Sequence, residues 1–104
     1  MQRITINIYN DPSHGWGKVS IDTLQRLNLL NNISSYSYIN NNHVYLEEDC
    51  DLSLLLKRLE ELNIRYKLKN NYANKSSKIR SYEYYSKDKA MHRYLTNLYN
   101  HLTS

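Results

Sequence analysis

A chain of 104 residues with 40% hydrophobic side chains has the size of one domain with a single small core. Its one cysteine, Cys50, excludes an internal disulfide and fits a reducing compartment. The opening "MQRITINIYN" lacks the apolar run of a signal peptide or membrane span, so a soluble cytoplasmic protein is expected.

Eleven tyrosines and no phenylalanine imply a polar-edged core, because each buried ring carries a hydroxyl that needs a partner. The net charge of +4 hides a split. Residues 1–62 hold five Lys/Arg against eight Asp/Glu (−3), and residues 63–104 hold nine against two (+7).

Ile4, Ile6 and Ile8 alternate with polar neighbours, the pattern of a half-buried strand. "NDPSHGWG" reads as a loop, with Gly15 and Gly17 relaxing the backbone into a sharp turn. Ser20 is an N-cap for a short helix, "IDTLQRLN", that buries Ile21, Leu24 and Leu27. "ISSYSYI" and "HVYLEE" flank Asn40–Asn42 and read as a hairpin, since asparagine tolerates the left-handed conformation of tight turns.

"DLSLLLKRLEEL" reads as a helix with Asp51 as N-cap and Leu52, Leu55, Leu56, Leu59 and Leu62 on one face. A strand follows, with Ile64, Tyr66 and Leu68 inward and Arg65, Lys67 and Lys69 outward. After a basic loop, "SKDKAMHRYLTNLYNHLTS" reads as a helix capped by Ser86, with Met91, Tyr94, Leu95, Leu98 and Leu102 on one face. The expected fold is α+β: a βαββαβ core over 1–85, ferredoxin-like or similar, with an extra C-terminal helix over 86–104. That helix either packs on the core or serves association, as a monomer or a homodimer.

Three constellations invite chemistry. In "DPSHGWGKV", His14 and Lys18 stand beside Trp16, which either stacks on a ligand or acts as a core lid. The packing reading is preferred, with His14 and Lys18 left at the rim. In "LEEDCDL", Glu47, Glu48, Asp49 and Asp51 form an acidic run. Such runs hold Mg²⁺ or Ca²⁺ in some proteins, but this one lacks calcium-loop spacing and suits a helix N-terminus. Cys50 is expected to be a small buried hydrophobe, and no His/Cys spacing marks a zinc site.

The third is the basic segment: Arg65, Lys67, Lys69, Lys75, Lys78 and Arg80, with no acidic residue among them and Tyr72 and Tyr82 nearby. Cations interleaved with aromatics suit phosphates and bases. Alternatively, they neutralise the chain's own acidic half. His43 and Tyr45, on the outer face of the second hairpin strand, are further rim candidates. No serine elbow, P-loop or dinucleotide fingerprint occurs, and neither a cofactor, a metal nor a catalytic residue is assigned.

"DPSHGWGKV", "ISSYSY", "YLEEDCDL" and "SKIRSY", in this order over about residues 10–85, resemble a group of small proteins encoded by tailed bacteriophages and prophages. Gly17 departs from the pattern, which has a larger apolar residue there, and the tail from Ser86 lies beyond the shared region. The resemblance implies a phage protein in the cytoplasm of a bacterial host and transfers no residue roles.

The first functional expectation is therefore a binding protein, an inhibitor or modulator of a host protein or nucleoprotein complex such as a defence system. The alternatives are direct nucleic-acid binding through the basic, tyrosine-rich 65–85 segment, and a small nuclease using His14, the acidic run and Arg80. The last requires those groups to converge. No membrane partner is expected.

Overall fold

The computed structural model describes residues 3–103. Alternating isoleucines build strand β1 (Arg3–Asn10). The chain then reverses through a turn held by Asp11, whose Oδ1 accepts from the backbone N–H groups of Ser13 (2.9 Å) and His14 (3.0 Å). It returns at once as a second strand, β2 (Gly15–Ser20), antiparallel to β1 with Tyr9 opposite Trp16 and Asn7 opposite Lys18.

This corrects the loop expected for "HGWG". Neither glycine has a positive φ; among the described residues the left-handed ones are Asn28, Asn41 and Asn63. Gly17 serves close approach instead. A Cβ there would lie 2.7 Å from Leu52 Cδ1 and 3.3 Å from Ile8 Cδ1, so its missing side chain leaves room for Leu52, from the leucine-rich helix later in the chain, to sit down on the strand.

Helix α1 (Ile21–Arg26) follows, capped by Ser20, whose Oγ accepts from Thr23 N–H at 3.0 Å. The hairpin forms around Asn41 as strands β3 (Tyr38–Asn40) and β4 (His43–Glu47). Residues 33–37, expected to be strand, are instead turn and coil. Helix α2 (Asp51–Glu61) buries Leu52, Leu55 and Leu59, while Leu62 lies past its end and is exposed.

The expected N-cap is also displaced. Cys50 holds the cap position and is exposed. Asp51 turns inward and accepts from Ser34 N–H (3.1 Å), Ser34 Oγ (2.7 Å) and Ser37 Oγ.

Strand β5 (Arg65–Tyr72) runs parallel to β1, a 3₁₀ turn covers Lys78–Ser81, and β6 (Glu83–Tyr84) pairs with β3. Helix α3 (Lys87–Thr103) closes the chain. Lys89 N–H donates to Ser86 Oγ at 3.2 Å in its first turn. Ala90 is buried and Met91 and Tyr94 pack on the core, but Leu95, Leu98 and Leu102 face solvent, so only the first half of the expected stripe is covered.

The molecule is a mixed α+β domain with one six-stranded sheet of order β5-β1-β2-β4-β3-β6. The main core lies between its helices and one sheet face, and includes Ile6, Ile8, Val19, Leu24, Val44, Leu46, Leu55 and Leu59. Among the described residues, no helix is long and apolar enough to cross a membrane.

The other sheet face is divided. At one end, Trp16, Tyr45 and Ile79 are buried together, with Tyr9, Tyr38 and Tyr82 packed around them. The 3₁₀ turn roofs this second cluster through Ile79 and the adjoining Tyr82. At the other end the face is open, with Lys18 and His43 partly exposed and Thr5, Lys67 and Lys69 exposed.

Candidate functional site: an aromatic cleft beside an open basic face

A cleft of about 770 Å³ opens at the roofed end of the sheet. All four stretches quoted above contribute to it: His14 and Trp16 from the first, Tyr36 and Tyr38 from the second, Glu47, Asp49 and Cys50 from the third, and Arg80 from the fourth. Tyr84 of β6 completes the wall and stacks on Tyr38 with ring centroids 5.4 Å apart.

The convergence follows from one ladder. β2 pairs antiparallel with β4, placing Trp16 opposite Glu47, and Glu48 N–H extends the pairing to Gly15 O at 3.1 Å. Continuing that register brings His14 alongside Asp49. One ligand atom from each of His14, Glu47 and Asp49 lies within 4.8 Å of the other two. The nuclease reading required convergence of His14 with the carboxylates and Arg80; the fold brings His14 to Glu47 and Asp49, while Arg80 lines the same cleft but is bound to Asp11.

Arg80 is held from behind. Its Nε donates to Asp11 Oδ2 at 2.8 Å and its Nη2 to Asp11 Oδ1 at 3.1 Å, while the guanidinium carbon lies 5.1 Å from the Trp16 ring centroid. Asp11 also accepts from Ser77 N–H at 3.1 Å, so one carboxylate fastens the β1–β2 turn to the roof. The Arg80 guanidinium, aided by the Ser13, His14 and Ser77 backbone N–H groups, holds the Asp11 carboxyl well below the usual range.

Most of the remaining basic segment is unpaired. Among the described residues, Arg65, Lys67, Lys69, Lys75 and Lys78 are exposed and form no ion pair, so of the six expected binding cations only Arg80 has an internal partner. Arg65, Lys67 and Lys69 project from the sheet face opposite the helices, because Tyr66, between Arg65 and Lys67, packs into the helical core. Arg3 stands directly beside Arg65 in the β1–β5 register.

The other candidates divide. Tyr72 is exposed, whereas Tyr82 packs on Tyr45 at 5.1 Å between centroids. Tyr45 itself is buried, so it is not at the rim; burial, then the neighbouring Tyr82, pushes its hydroxyl up to about 12. His14 is exposed and lines the edge of the cleft.

Lys18 and His43 sit on neighbouring strands of the open face and line one shallow groove of about 290 Å³. Partial burial first, and the Lys18 charge second, lower the His43 pKa below 6.5. In the window between the lowered and the ordinary value the unfolded chain binds the extra proton. His43 therefore contributes stability that is present at neutral pH and lost as pH falls through that window. An NMR titration should place the His43 midpoint below 6.5, and Lys18→Ala should move it upward; an ordinary midpoint would contradict this geometry.

Sequence reasoning undervalued Glu47 and Asp49 as partners of His14 and left out Tyr36, Tyr38 and Tyr84. The missing signal was β2: once "GWGKVS" is read as a strand beside "HVYLE", His14 and the acidic run face each other.

The class this defines is a small α+β domain with one sheet face partly roofed over an aromatic cleft and partly open and cationic. No protein-family model, curated protein or solved structure compared with this chain matches it.

Proposed function

We propose that this protein binds nucleic acid through the open face of its sheet. The observation that carries the reading is the set Lys18, Arg65, Lys67 and Lys69, which share that face and form no ion pair among the described residues. Like charges on neighbouring strands repel, as Arg3 beside Arg65 must, and a polyanion relieves that repulsion. Tyr72, although exposed, alternates with Lys69 onto the helical side of β5 and does not join this face.

The resemblance to phage proteins suggests that the setting is a bacterial cell, where the nucleic acid stands free or within a host nucleoprotein complex.

Fluorescence polarisation with labelled single- and double-stranded oligonucleotides in 50 mM salt tests this. The expected Kd lies in the range of about 10⁻⁴–10⁻⁶ M, and log K should fall with log salt at a slope of about −3 to −4 if the four cations contact phosphates. Lys67→Glu with Lys69→Glu should weaken binding at least about tenfold and flatten that slope by about 2. Absence of binding at 50 mM salt overturns the proposal, as does an unchanged affinity in the double variant. Capture of a host protein that survives nuclease treatment, without oligonucleotide binding, would return the role to protein inhibition.

A further inference from the structure

We infer that His14, Glu47 and Asp49 form a binding site for a single divalent transition-metal ion at the rim of the aromatic cleft. This rests on different residues from the polyanion reading and stands independently of it. An imidazole from one chain segment and two carboxylates from another offer atoms within 4.8 Å of one another. Ligands sharing one ion at bonds of about 2.0–2.2 Å stand up to roughly 4 Å apart, so small side-chain rotations close the set.

The cluster's own charge favours a cation. Neither Glu47 nor Asp49 takes part in an ion pair among the described residues, and the nearby guanidinium of Arg80 is committed to Asp11. Two carboxylate oxygens so close repel in the absence of a positive partner. A metal ion supplies one that no side chain of the cleft does.

The frame is also preset. The backbone N–H of His14 is tied to Asp11 (3.0 Å), that of Glu47 to Ser37 Oγ (3.0 Å), and that of Asp49 to Glu47 Oε1 (3.1 Å). Ordering these ligands therefore costs little further entropy.

The donor set selects the ion. One imidazole with two carboxylates suits Mn²⁺ or Zn²⁺ better than Mg²⁺ or Ca²⁺, which prefer oxygen alone. Three protein ligands leave further positions open to the cleft, where an oxygen ligand can complete the shell.

Mn²⁺ and Zn²⁺ are the probes. Titration of the intact protein with MnCl₂, without nucleic acid, should show one site by loss of the free-ion EPR signal. At substoichiometric Mn²⁺, NMR signals of His14, Glu47 and Asp49 should broaden before those of His92 and His101. Zn²⁺ should compete for the same site. His14→Ala and Asp49→Asn, both at exposed positions, should each weaken binding at least tenfold, with Lys67→Glu unchanged.

Broadening centred on other histidines, binding unaltered in both cleft variants, or no binding up to 1 mM metal would each overturn the assignment. None of these results depends on whether oligonucleotides bind, so the two proposals fail separately.

Discussion

Trp16→Ala should lower the unfolding free energy by about 3–5 kcal/mol, measured by urea denaturation. Trp16 is 2% exposed and sits where three elements meet. Its ring meets His14 edge-on at 6.1 Å and Tyr38 at 6.2 Å between centroids, and carries the Arg80 guanidinium on its face. Truncation opens a void between β2, β3 and the roof segment that rigid strands cannot close. For a domain of this size that is a large share of the total, which is typically about 5–15 kcal/mol. Trp16→Phe should recover part of the loss, since a ring still fills most of the space. A change below about 1 kcal/mol in Trp16→Ala would show that the second aromatic cluster is not a cooperative part of the fold.

Asp51→Ala should be comparably severe, about 3–5 kcal/mol, whereas Asp49→Asn should stay within about 0.5 kcal/mol. The two residues are neighbours in an acidic run yet do different jobs. Asp51 is 2% exposed and gathers the Ser34 N–H, Ser34 hydroxyl and Ser37 hydroxyl around one carboxylate. Ser37 in turn receives Glu47 N–H, so removing Asp51 orphans buried donors and loosens the joint between the 34–37 turn and β4. Asp49 is exposed, and its side chain takes no part in an ion pair among the described residues. Chemical denaturation of both variants separates architecture from cleft chemistry within three residues. Equal destabilisation by both would contradict this division.

Features fixed by local physics were legible in the sequence. The Ile4, Ile6 and Ile8 alternation, the Ser20 cap and the left-handed Asn41 each depend on a few neighbouring residues, and each stands as expected. β2 was not legible because two of its three core-facing positions are glycine, which erases the apolar half of the two-residue period. β6, two residues long, has no periodicity to read.

Cys50 was expected inside because isolated cysteines usually are, but it falls at the cap of α2, on the cleft wall. The stripe of α3 was read correctly as a pattern. Pattern alone does not say how far the sheet extends beneath a helix, and Leu98 and Leu102 run past its cover. The meeting of His14 with the carboxylates depends on β2, since the β2–β4 pairing brings them together.

The two rims of the sheet are unequal. β6 is short and gives way quickly to α3, whereas β5 offers eight residues with one side free of any strand partner among the described residues. An uncovered rim of that length is a template for a second copy of the chain, and mutual repulsion between cations such as Arg65, Lys67 and Lys69 keeps such copies apart. Lys67 and Lys69 on that rim thus act as gatekeepers against fibre-like stacking. Removing them leaves the molecule more prone to sticking to itself.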